Sequence, residues 1–370
     1  MIYRKFGQTG LEISAIGFGG MRFGAPDDAE ASAALVRAAY DAGINYFDTA
    51  PLYGKSEELF GVAFKEMAKM RAARPFYVST KTFAAEPSEI RRELETSLAR
   101  MGLDYVDFYH VWCLMNPGEF AARRAKGVVK EFERLRDEGL IRHISVSSHM
   151  AGADIAAMMR EYPFESVLLG YSPMNFAYRE EGVAAAAALG RGVVVMNPLG
   201  GGIIPQHPER FDFVRTRPEE TVVEGALRFL LNDARISCAL IGFADVTQVA
   251  PAVRAVDGFR PLQPAQVEAI RGGLREAFNH MCTGCAYCEP CPEGLSIPRL
   301  MDAYNQFILS GKPGDILSRL KWHWALTPDA SRAFPCAECG QCEARCTQRL
   351  PIVERLREIR AEVGRAGSAK

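Results

Sequence analysis

Apolar and polar positions follow two alternating patterns along the first two thirds of the chain. Short runs rich in β-branched and aromatic residues, typical of buried strands, alternate with longer segments of helical period. A polar, turn-rich stretch at 1–14 predicts a hairpin. Strands are predicted at 15–19, 44–48, 76–80, 104–111, 141–146, 166–170, 192–196 and 237–241. The helices that follow them are predicted at 27–42, 57–70, 87–101, 119–138, 151–161, 180–189, 219–231 and 246–256.

Eight strand–helix units in about 250 residues match the number and size of a (β/α)8 barrel. A doubly wound open sheet is the alternative, but it usually has fewer strands and carries a glycine-rich dinucleotide fingerprint. The first strand ends with Gly17-Phe18-Gly19-Gly20-Met21-Arg22, where Arg22 replaces the last glycine of that fingerprint. We therefore predict an α/β fold, a (β/α)8 TIM barrel over residues 1–275.

A change of composition marks a second domain. A further helix is predicted over 263–279, and the residues after it are rich in Cys, Gly and Pro. We predict a small, mainly α-helical domain over 276–370.

The composition is that of an ordinary soluble protein, with 48% hydrophobic and 24% charged residues. A net charge of −1 gives no electrostatic reason to expect nucleic acid or an anionic membrane as a partner. No apolar run reaches the roughly 20 residues that span a bilayer, and the first residues do not resemble a signal peptide. We therefore expect a cytoplasmic protein that binds neither nucleic acid nor membrane.

Polar side chains stand where the predicted barrel strands end. Asp48 and Tyr53 follow the second strand, Lys81 follows the third, and His110 lies near the end of the fourth. Each has a structural alternative, such as a solvated lysine or a hydrogen-bonded core histidine. Together they favour an active site, because barrel enzymes place their chemistry at the carboxyl ends of the strands.

One chemistry uses all four groups. A phenol is a weak acid near neutral pH, and a neighbouring ammonium makes it more acidic by stabilising the phenolate. A carboxylate holds that ammonium in place, and a neutral imidazole can orient a carbonyl by a hydrogen bond. The set could protonate an oxygen while a hydride reaches the adjacent carbon.

The chain resembles the aldo-keto reductase superfamily over roughly residues 1–275. The resemblance rests on Tyr3-Arg4-Lys5-Phe6-Gly7-Gln8-Thr9-Gly10-Leu11, Phe47-Asp48-Thr49-Ala50-Pro51-Leu52-Tyr53-Gly54 and Ser79-Thr80-Lys81-Thr82. It implies that Asp48, Tyr53, Lys81 and His110 are the catalytic residues. It also implies that NAD(P)H binds across the barrel mouth without a Rossmann domain.

The same resemblance implies a set of cofactor-binding residues around the barrel mouth. They are Gly20, Met21, Asp48, Ser147, Ser148, Met196, Pro198, Leu199, Gly201, Gly242, Ala244 and Gln248. The segment 242–248 matches the region that reads the adenosine 2′-phosphate, yet it holds no Lys or Arg and includes Asp245. We therefore expect NADH to bind at least as well as NADPH.

Eight of the ten cysteines form two bursts after residue 280, whereas Cys113 and Cys238 lie in apolar, strand-like runs and are expected in the core. The bursts are Cys282, Cys285, Cys288, Cys291 and Cys336, Cys339, Cys342, Cys346. Four thiolates this close in sequence favour one [4Fe–4S] cluster for each burst. Zinc and disulfides are the alternatives, but zinc more often uses two separated Cys-x2-Cys pairs.

The region 281–352 resembles the ferredoxin-like extension of one aldo-keto reductase branch. In two-cluster ferredoxins the fourth cysteine of each run ligates the other cluster. By that rule Cys346 would join Cys282, Cys285 and Cys288, and Cys291 would join the second burst.

The leading hypothesis is an NAD(P)(H)-dependent oxidoreductase that acts on a small carbonyl or alcohol substrate and holds two 4Fe–4S clusters. The alternatives are electron transfer between the clusters and a redox partner protein, clusters that are structural or sense oxygen, and a non-catalytic binding module. No residue selects a particular carbonyl, although Trp112 and Phe23 could line an apolar pocket.

Overall fold

The computed structural model describes residues 1–173, 176–257, 259–277, 280–322, 324, 326 and 335–368. The chain divides into two compact units. The first comprises Met1–Gly200 and Ile204–Arg275, and the second Gly201–Ile203 and Glu276–Lys370. In the described part of the chain, no helix combines the length and apolar character needed to cross a membrane.

Eight parallel strands of the first unit close into a barrel. A two-stranded hairpin, β1 (Tyr3–Lys5) and β2 (Glu12–Ser14), precedes it as expected. The barrel strands are β3 (Ile16–Gly19), β4 (Tyr46–Asp48), β5 (Tyr77–Thr82), β6 (Val106–Leu114), β7 (Ile141–Ser148), β8 (Ser166–Gly170), β9 (Gly192–Met196) and β10 (Cys238–Ile241). They pair in chain order, and β10 closes the ring by pairing with both β9 and β3.

Helices follow the strands, which confirms the predicted (β/α)8 fold. In the first unit they are α1 (Ala29–Asp41), α2 (Ser56–Met67), α3 (Pro87–Met101), α4 (Pro117–Ala125), α5 (Val128–Asp137), α6 (Gly152–Glu161), α7 (Phe176–Ala188), α9 (Val222–Leu231) and α10 (Val249–Asp257). Helix α11 (Pro264–Ala277) begins in the first unit and ends in the second. A short helix, α8 (Ile203–Gln206), begins at the last residue of the 201–203 segment. Phe278 and Asn279, at the end of the predicted helix 263–279, lie outside the described residues.

Most element bounds differ from the prediction by a few residues, and two elements differ in kind. The single helix predicted over 119–138 is two helices, α4 and α5, because Gly127 adopts a left-handed φ of 86° between them. Strand β6 continues to Leu114, beyond the predicted end at 111, through a register shift in which Cys113 has a φ of 58°. The bulge extends the strand at the rim of the barrel.

The hairpin contributes to the packed interior of the barrel. Phe6 and Ile13 lie in one buried cluster with residues from the barrel strands, namely Tyr46, Phe108, Leu168, Val194, Cys238 and Leu240. The ring of Phe6 meets that of Phe108 edge-on, with their centroids 4.7 Å apart. The barrel is therefore a filled core rather than a pore, and Cys238 lies in that core as predicted.

The second unit has its own hydrophobic core. Its helices are α12 (Ile297–Ser310), α13 (Gly314–Trp322), α14 (Gln341–Ala344) and α15 (Ile352–Ser368). Buried side chains from α12, α13 and α15, including Leu300, Leu320 and Leu356, pack together, and five of the clustered cysteines border them. The apolar face of α15 thus supports the loops that carry the thiols.

Candidate functional site

Because the barrel strands are parallel, their carboxyl ends meet at one rim. Asp48 is the last residue of β4, Lys81 is the next-to-last residue of β5, and His110 lies within β6. Strand register places Asp48 opposite Ser79, and Lys81 opposite His110. The structure therefore brings three of the four predicted catalytic side chains onto adjacent strands.

Asp48 and Lys81 form a buried ion pair. Lys81 Nζ lies 2.6 Å from Asp48 Oδ1 and donates a second hydrogen bond, also 2.6 Å long, to the carbonyl oxygen of Thr49. The Lys81 side chain is 0% exposed and that of Asp48 is 4% exposed. Burial lowers the pKa of Lys81 and raises the pKa of Asp48, and their mutual attraction opposes both shifts.

A serine that sequence reasoning missed connects this pair to the histidine. Ser79 Oγ donates to Asp48 Oδ2 at 2.7 Å and lies 2.9 Å from His110 Nε2. A hydroxyl has one proton to donate, so Ser79 accepts a hydrogen bond from Nε2–H. The hydrogen-bond network therefore assigns the proton of the imidazole to Nε2. The available signal was position, because Ser79 precedes Lys81 by two residues and so shares its face of β5.

His110 is neutral at physiological pH. Its imidazole is fully buried, and burial together with the nearby Lys81 ammonium lowers the pKa of His110 to about 3. A substrate carbonyl at this point would compete with Ser79 for the Nε2 proton. The imidazole can thus donate a hydrogen bond without adding a second positive charge beside Lys81.

Tyr53 lies on the loop after β4, and its ring is partly exposed. Lys81 Nζ is 4.9 Å from the centroid of this ring, within the range of a cation–π contact. Trp112 meets the ring edge-on with centroids 5.7 Å apart, and Phe83 stacks on Trp112 at 4.0 Å. The phenol is therefore held between a cation and an aromatic wall.

Phe23, which was also expected to line an apolar pocket, packs on the core rings of Phe18 and Phe60.

The residues expected near a nicotinamide differ in their burial and in their contacts. Ser147 is 1% exposed and lies opposite Leu168, a residue of the inner barrel cluster. Ser148 Oγ donates to the Leu114 carbonyl and accepts from the Met150 amide, so its hydroxyl is already bonded within the protein. Met196 ends β9 and packs against the inner barrel cluster.

Two glycine positions at the rim are constrained by the fold. A Cβ on Gly20 would come within 2.3 Å of Ser56 Oγ, so close packing against α2 alone excludes a side chain there. Its neighbour Met21 is 40% exposed. After β9, the chain turns through Pro198 and Leu199 into Gly200–Gly202, where all three glycines have left-handed φ values. Gly201 belongs to the second compact unit.

The segment after β10 is closed by its own hydrogen bonds. The Ala244 amide donates to Gln248 Oε1 at 2.9 Å, and Asp245 Oδ1 accepts from the Thr247 amide at 2.8 Å. The structure adds a cation that the sequence did not associate with this segment. Arg22 lies beside Gly242, where a Cβ would come within 2.7 Å of Arg22 Cγ.

In the second unit, a cysteine of the second burst lies near three of the first. Burial raises the pKa of the Cys282 thiol, and the neighbouring thiols of Cys285, Cys288 and Cys346 raise it further. Backbone amides donate to two of these sulfurs, Gly284 to Cys282 and Leu350 to Cys346, each at 3.4 Å. The hydroxyl of Thr347 lies 3.4 Å from Cys285 Sγ.

The other cysteines line a separate pocket. It is bordered by Cys291 from the first burst and by Cys336, Cys339 and Cys342 from the second, with Cys288 also at its edge. Apolar walls come from Ile297, Val353 and Leu356. The amide of Glu338 donates to Cys336 Sγ at 3.4 Å.

All ten cysteines lie in the described residues, and all are free thiols. A tetrahedral zinc holds sulfur ligands about 2.3 Å away, and therefore roughly 4 Å from one another. Within the described ranges, no group of three or more His, Cys, Asp or Glu side chains is arranged to hold a single metal ion.

Comparisons with known proteins agree with this division of the chain. Residues 15–274 match the aldo/keto reductase family, and residues 281–351 match a domain described as a 4Fe-4S dicluster domain. L-galactose dehydrogenase of Arabidopsis thaliana is 30% identical over 314 residues, which are 72% of this chain and 93% of that protein. The uncharacterized oxidoreductase YqkF of Bacillus subtilis is 23% identical over 304 residues, 74% of this chain and 96% of that protein.

A solved structure shares the barrel. The holo form of aldo-keto reductase AKR11C1 from Bacillus halodurans superimposes with a TM-score of 0.61 at 22% identity, covering 74% of this chain and 96% of that one. This likeness supports the fold. The family match spans well over half of the chain, so this protein belongs to the aldo/keto reductase family and carries a 4Fe-4S dicluster domain after its barrel.

Proposed function

We propose that this oxidoreductase reduces a small carbonyl compound, or oxidises the corresponding alcohol, with NAD(P)(H). The observation that carries the proposal is the buried Asp48–Lys81 ion pair beside the Tyr53 ring, with a neutral His110 on the next strand. A buried ion pair of this kind is costly to desolvate and adds little stability, so its position at the carboxyl rim favours a catalytic role.

Each residue has a defined part in the proposed chemistry. Asp48 keeps the Lys81 ammonium charged and in place, and Lys81 stabilises negative charge that develops on the Tyr53 oxygen. Tyr53 gives its proton to the carbonyl oxygen, and the His110 imidazole orients that oxygen. A bound nicotinamide supplies the hydride. The buried position of Ser147 and the Met196 side chain at the barrel core support a binding place for its ring.

For the second unit we propose two 4Fe–4S clusters with crossed ligands. The grouping of Cys346 with Cys282, Cys285 and Cys288, and of Cys291 with Cys336, Cys339 and Cys342, supports this pairing. Amide and hydroxyl donors directed at the sulfurs are a usual feature of such sites.

Electron exchange with a partner protein is a second candidate role for the clusters. Its support is that Cys339 is exposed, whereas the other seven clustered cysteines are partly or fully buried. An exposed ligand shortens the path by which an electron can leave the protein. This role does not exclude carbonyl reduction in the barrel.

The deciding experiment is a Tyr53→Phe variant of the anaerobically purified full-length protein. Coenzyme oxidation is followed with a panel of aldehydes and ketones, and coenzyme reduction with sugars and alcohols, including L-galactose because of the named Arabidopsis relative. We expect Tyr53→Phe to lose nearly all turnover, while coenzyme binding and the visible spectrum of the clusters remain unchanged.

Tyr3→Phe is the matched control, because its hydroxyl bonds the Gly43 carbonyl at 2.9 Å and its side chain is exposed. It should turn over at the wild-type rate. More than a tenth of wild-type turnover in Tyr53→Phe would refute the role of Tyr53 as proton donor. Wild-type protein with zinc and no iron would refute the cluster assignment.

A further inference from the structure

Arg355 is a buried cation in the second unit. It lies on α15 and is 4% exposed. Its Nη2 donates a 2.6 Å hydrogen bond to the carbonyl oxygen of His280, two residues before Cys282. The guanidinium also lies over the ring of Tyr304, 4.8 Å from the centroid. Two independent contacts therefore fix its position.

The positive charge of Arg355 is only partly balanced by hydrogen bonds and ion pairs within the described residues. Among the described residues, its Nη1 finds no hydrogen-bond partner, and no carboxylate comes within ion-pair distance of the side chain. Glu358 instead accepts a hydrogen bond from the Tyr304 hydroxyl at 2.7 Å. A buried, unpaired charge is destabilising unless a further partner is present.

The groups that can carry negative charge near Arg355 include two thiols of the set formed by Cys282, Cys285, Cys288 and Cys346. Burial lowers the pKa of Arg355, while Tyr304, Cys282, Cys346 and the carboxylate of Glu358 oppose this shift. These two cysteines come from different bursts, and both belong to the set of four that we assign to one cluster. A fixed positive charge thus stands beside the place where four thiolates would gather.

We propose that Arg355 is the charge partner of the cluster held by Cys282, Cys285, Cys288 and Cys346, and that it raises the reduction potential of that cluster. The proposal rests on the assignment of two 4Fe–4S clusters made above. A cluster with four thiolates is an anion, and reduction adds one more negative charge. Burial makes this added charge unfavourable and so lowers the reduction potential. A nearby fixed cation stabilises the added charge and so raises the potential.

Among the described residues of the second unit, no Lys or Arg other than Arg355 is buried, so the cysteines around Cys336 have no buried cation beside them. Arg357, one of the cations near Cys336, is exposed and donates through two nitrogens to the carboxylate of Glu338. Solvent and Glu338 screen its charge. The effect of Arg355 is therefore expected at one of the two clusters only.

The redox step involves electron transfer alone. An external one-electron donor is oxidised by one electron, the cluster is reduced by one electron, and no covalent bond forms or breaks. The Arg355 proton stays on the guanidinium throughout. The residue is thus a positioning and tuning group rather than a catalytic one.

The test is an anaerobic redox titration of full-length protein with dithionite as donor, followed by electron paramagnetic resonance. Two neutral variants, Arg355→Gln and Arg355→Met, are compared with Arg355→Lys, which retains a positive charge. We expect each neutral variant to make one cluster at least tenfold harder to reduce, a shift of about 59 mV to more negative potential. Arg355→Lys should stay close to the wild-type potential.

Arg357→Met is the matched control from the same helix, and both cluster potentials should be unchanged in it. Unchanged cluster potentials in the neutral variants would overturn the proposal. Loss of the same cluster from the neutral variants and from Arg355→Lys would also overturn it. Cluster loss from the neutral variants only would support it. Wild-type protein without iron would instead contradict the underlying cluster assignment, which iron and sulfide analysis establishes before the titration.

Discussion

Burial sets the ionisation states of two histidines in the barrel. His110 and His149 are both almost fully buried, and burial lowers the pKa of each to about 3. Lys81 adds to the shift for His110, and Arg179 adds to it for His149. Both rings are therefore neutral across the physiological range, which at His110 suits a hydrogen-bond donor rather than a general acid.

The lowered pKa values of these two histidines predict how the stability of the protein responds to acid. An unfolded histidine has a pKa of about 6.5, so below that pH the unfolded chain binds protons that the folded chain refuses. The free energy of unfolding should therefore fall as the pH drops from about 6.5 towards 3, by up to about 1.4 kcal/mol per pH unit for each such histidine.

His149→Gln tests this away from the proposed catalytic residues. Urea unfolding followed by circular dichroism at pH 7, 6 and 5 should show a shallower loss of stability in the variant than in the wild type. Equal slopes in the two proteins would mean that His149 becomes protonated in the folded state.

We expect coenzyme preference to depend on two opposite charges near the end of β10. The segment 242–248 contributes Asp245, which repels a phosphate, and the structure adds Arg22 beside Gly242. Asp245 belongs to the segment itself, so we still expect NADH to bind at least as tightly as NADPH. Fluorescence titration of both coenzymes measures the ratio, and Asp245→Ala should shift it towards NADPH.

The opposite result is informative. If NADPH binds a hundredfold more tightly, a difference of about 2.7 kcal/mol, Arg22 beside Gly242 is the cation that we expect to cause it. Arg22→Ala would then lower NADPH affinity and leave NADH affinity unchanged.

At the level of secondary-structure elements, register decides how the rim is assembled. The pairing of Lys81 with His110 and of Asp48 with Ser79 follows from the alignment of β4, β5 and β6. A shift of one residue in β5 would turn Lys81 and Ser79 out of the barrel. The sequence predicted these strands within a few residues, but hydrogen-bond partners depend on alignment between strands, which no single strand encodes.

The cysteine loops provide a prediction at the same scale. If the ligands are crossed, each cluster ties both bursts together, so Cys346→Ser should disturb the cluster anchored by Cys282, Cys285 and Cys288. Cys291→Ser should disturb the other cluster. Because metal binding contributes to folding energy, either change should also make the region after residue 280 more sensitive to limited proteolysis.

Iron and sulfide content, measured with proteolysis on anaerobically purified protein, checks this. Cys113→Ser is the control, because this cysteine lies at the bulge of β6 and outside both sets. It should keep the full iron content. Spectra showing that each cluster takes all four ligands from its own burst would refute the crossing, although not the clusters themselves.

At the level of the whole molecule, two compact units carry separate cores. The first holds the inner barrel cluster and the second holds the core built on α12, α13 and α15. A unit with its own core can remain folded when another is damaged. We therefore expect the barrel to resist proteolysis in the Cys346→Ser and Cys291→Ser variants.

Local patterns of residues were sufficient to predict much of the fold and part of the site. Hydrophobic periodicity predicted eight strand–helix units, because side chains alternate in a strand and repeat every 3.6 residues in a helix. The spacing of the cysteines predicted a domain of the iron–sulfur kind, since ligands close in sequence need little folding to converge. Asp48, Lys81 and His110 could be singled out because polar residues at the ends of apolar strands are unusual.

The contacts between residues that are distant in sequence could not be predicted and came from the folded chain. It brought the Ser79 hydroxyl between Asp48 and His110, Arg22 beside Gly242, and Arg355 beside Cys282. It also divided the predicted helix 119–138 at Gly127. The physical reason is that these contacts depend on strand register, burial and side-chain orientation. Those properties are set by the packing of the whole chain, and no local run of residues specifies them.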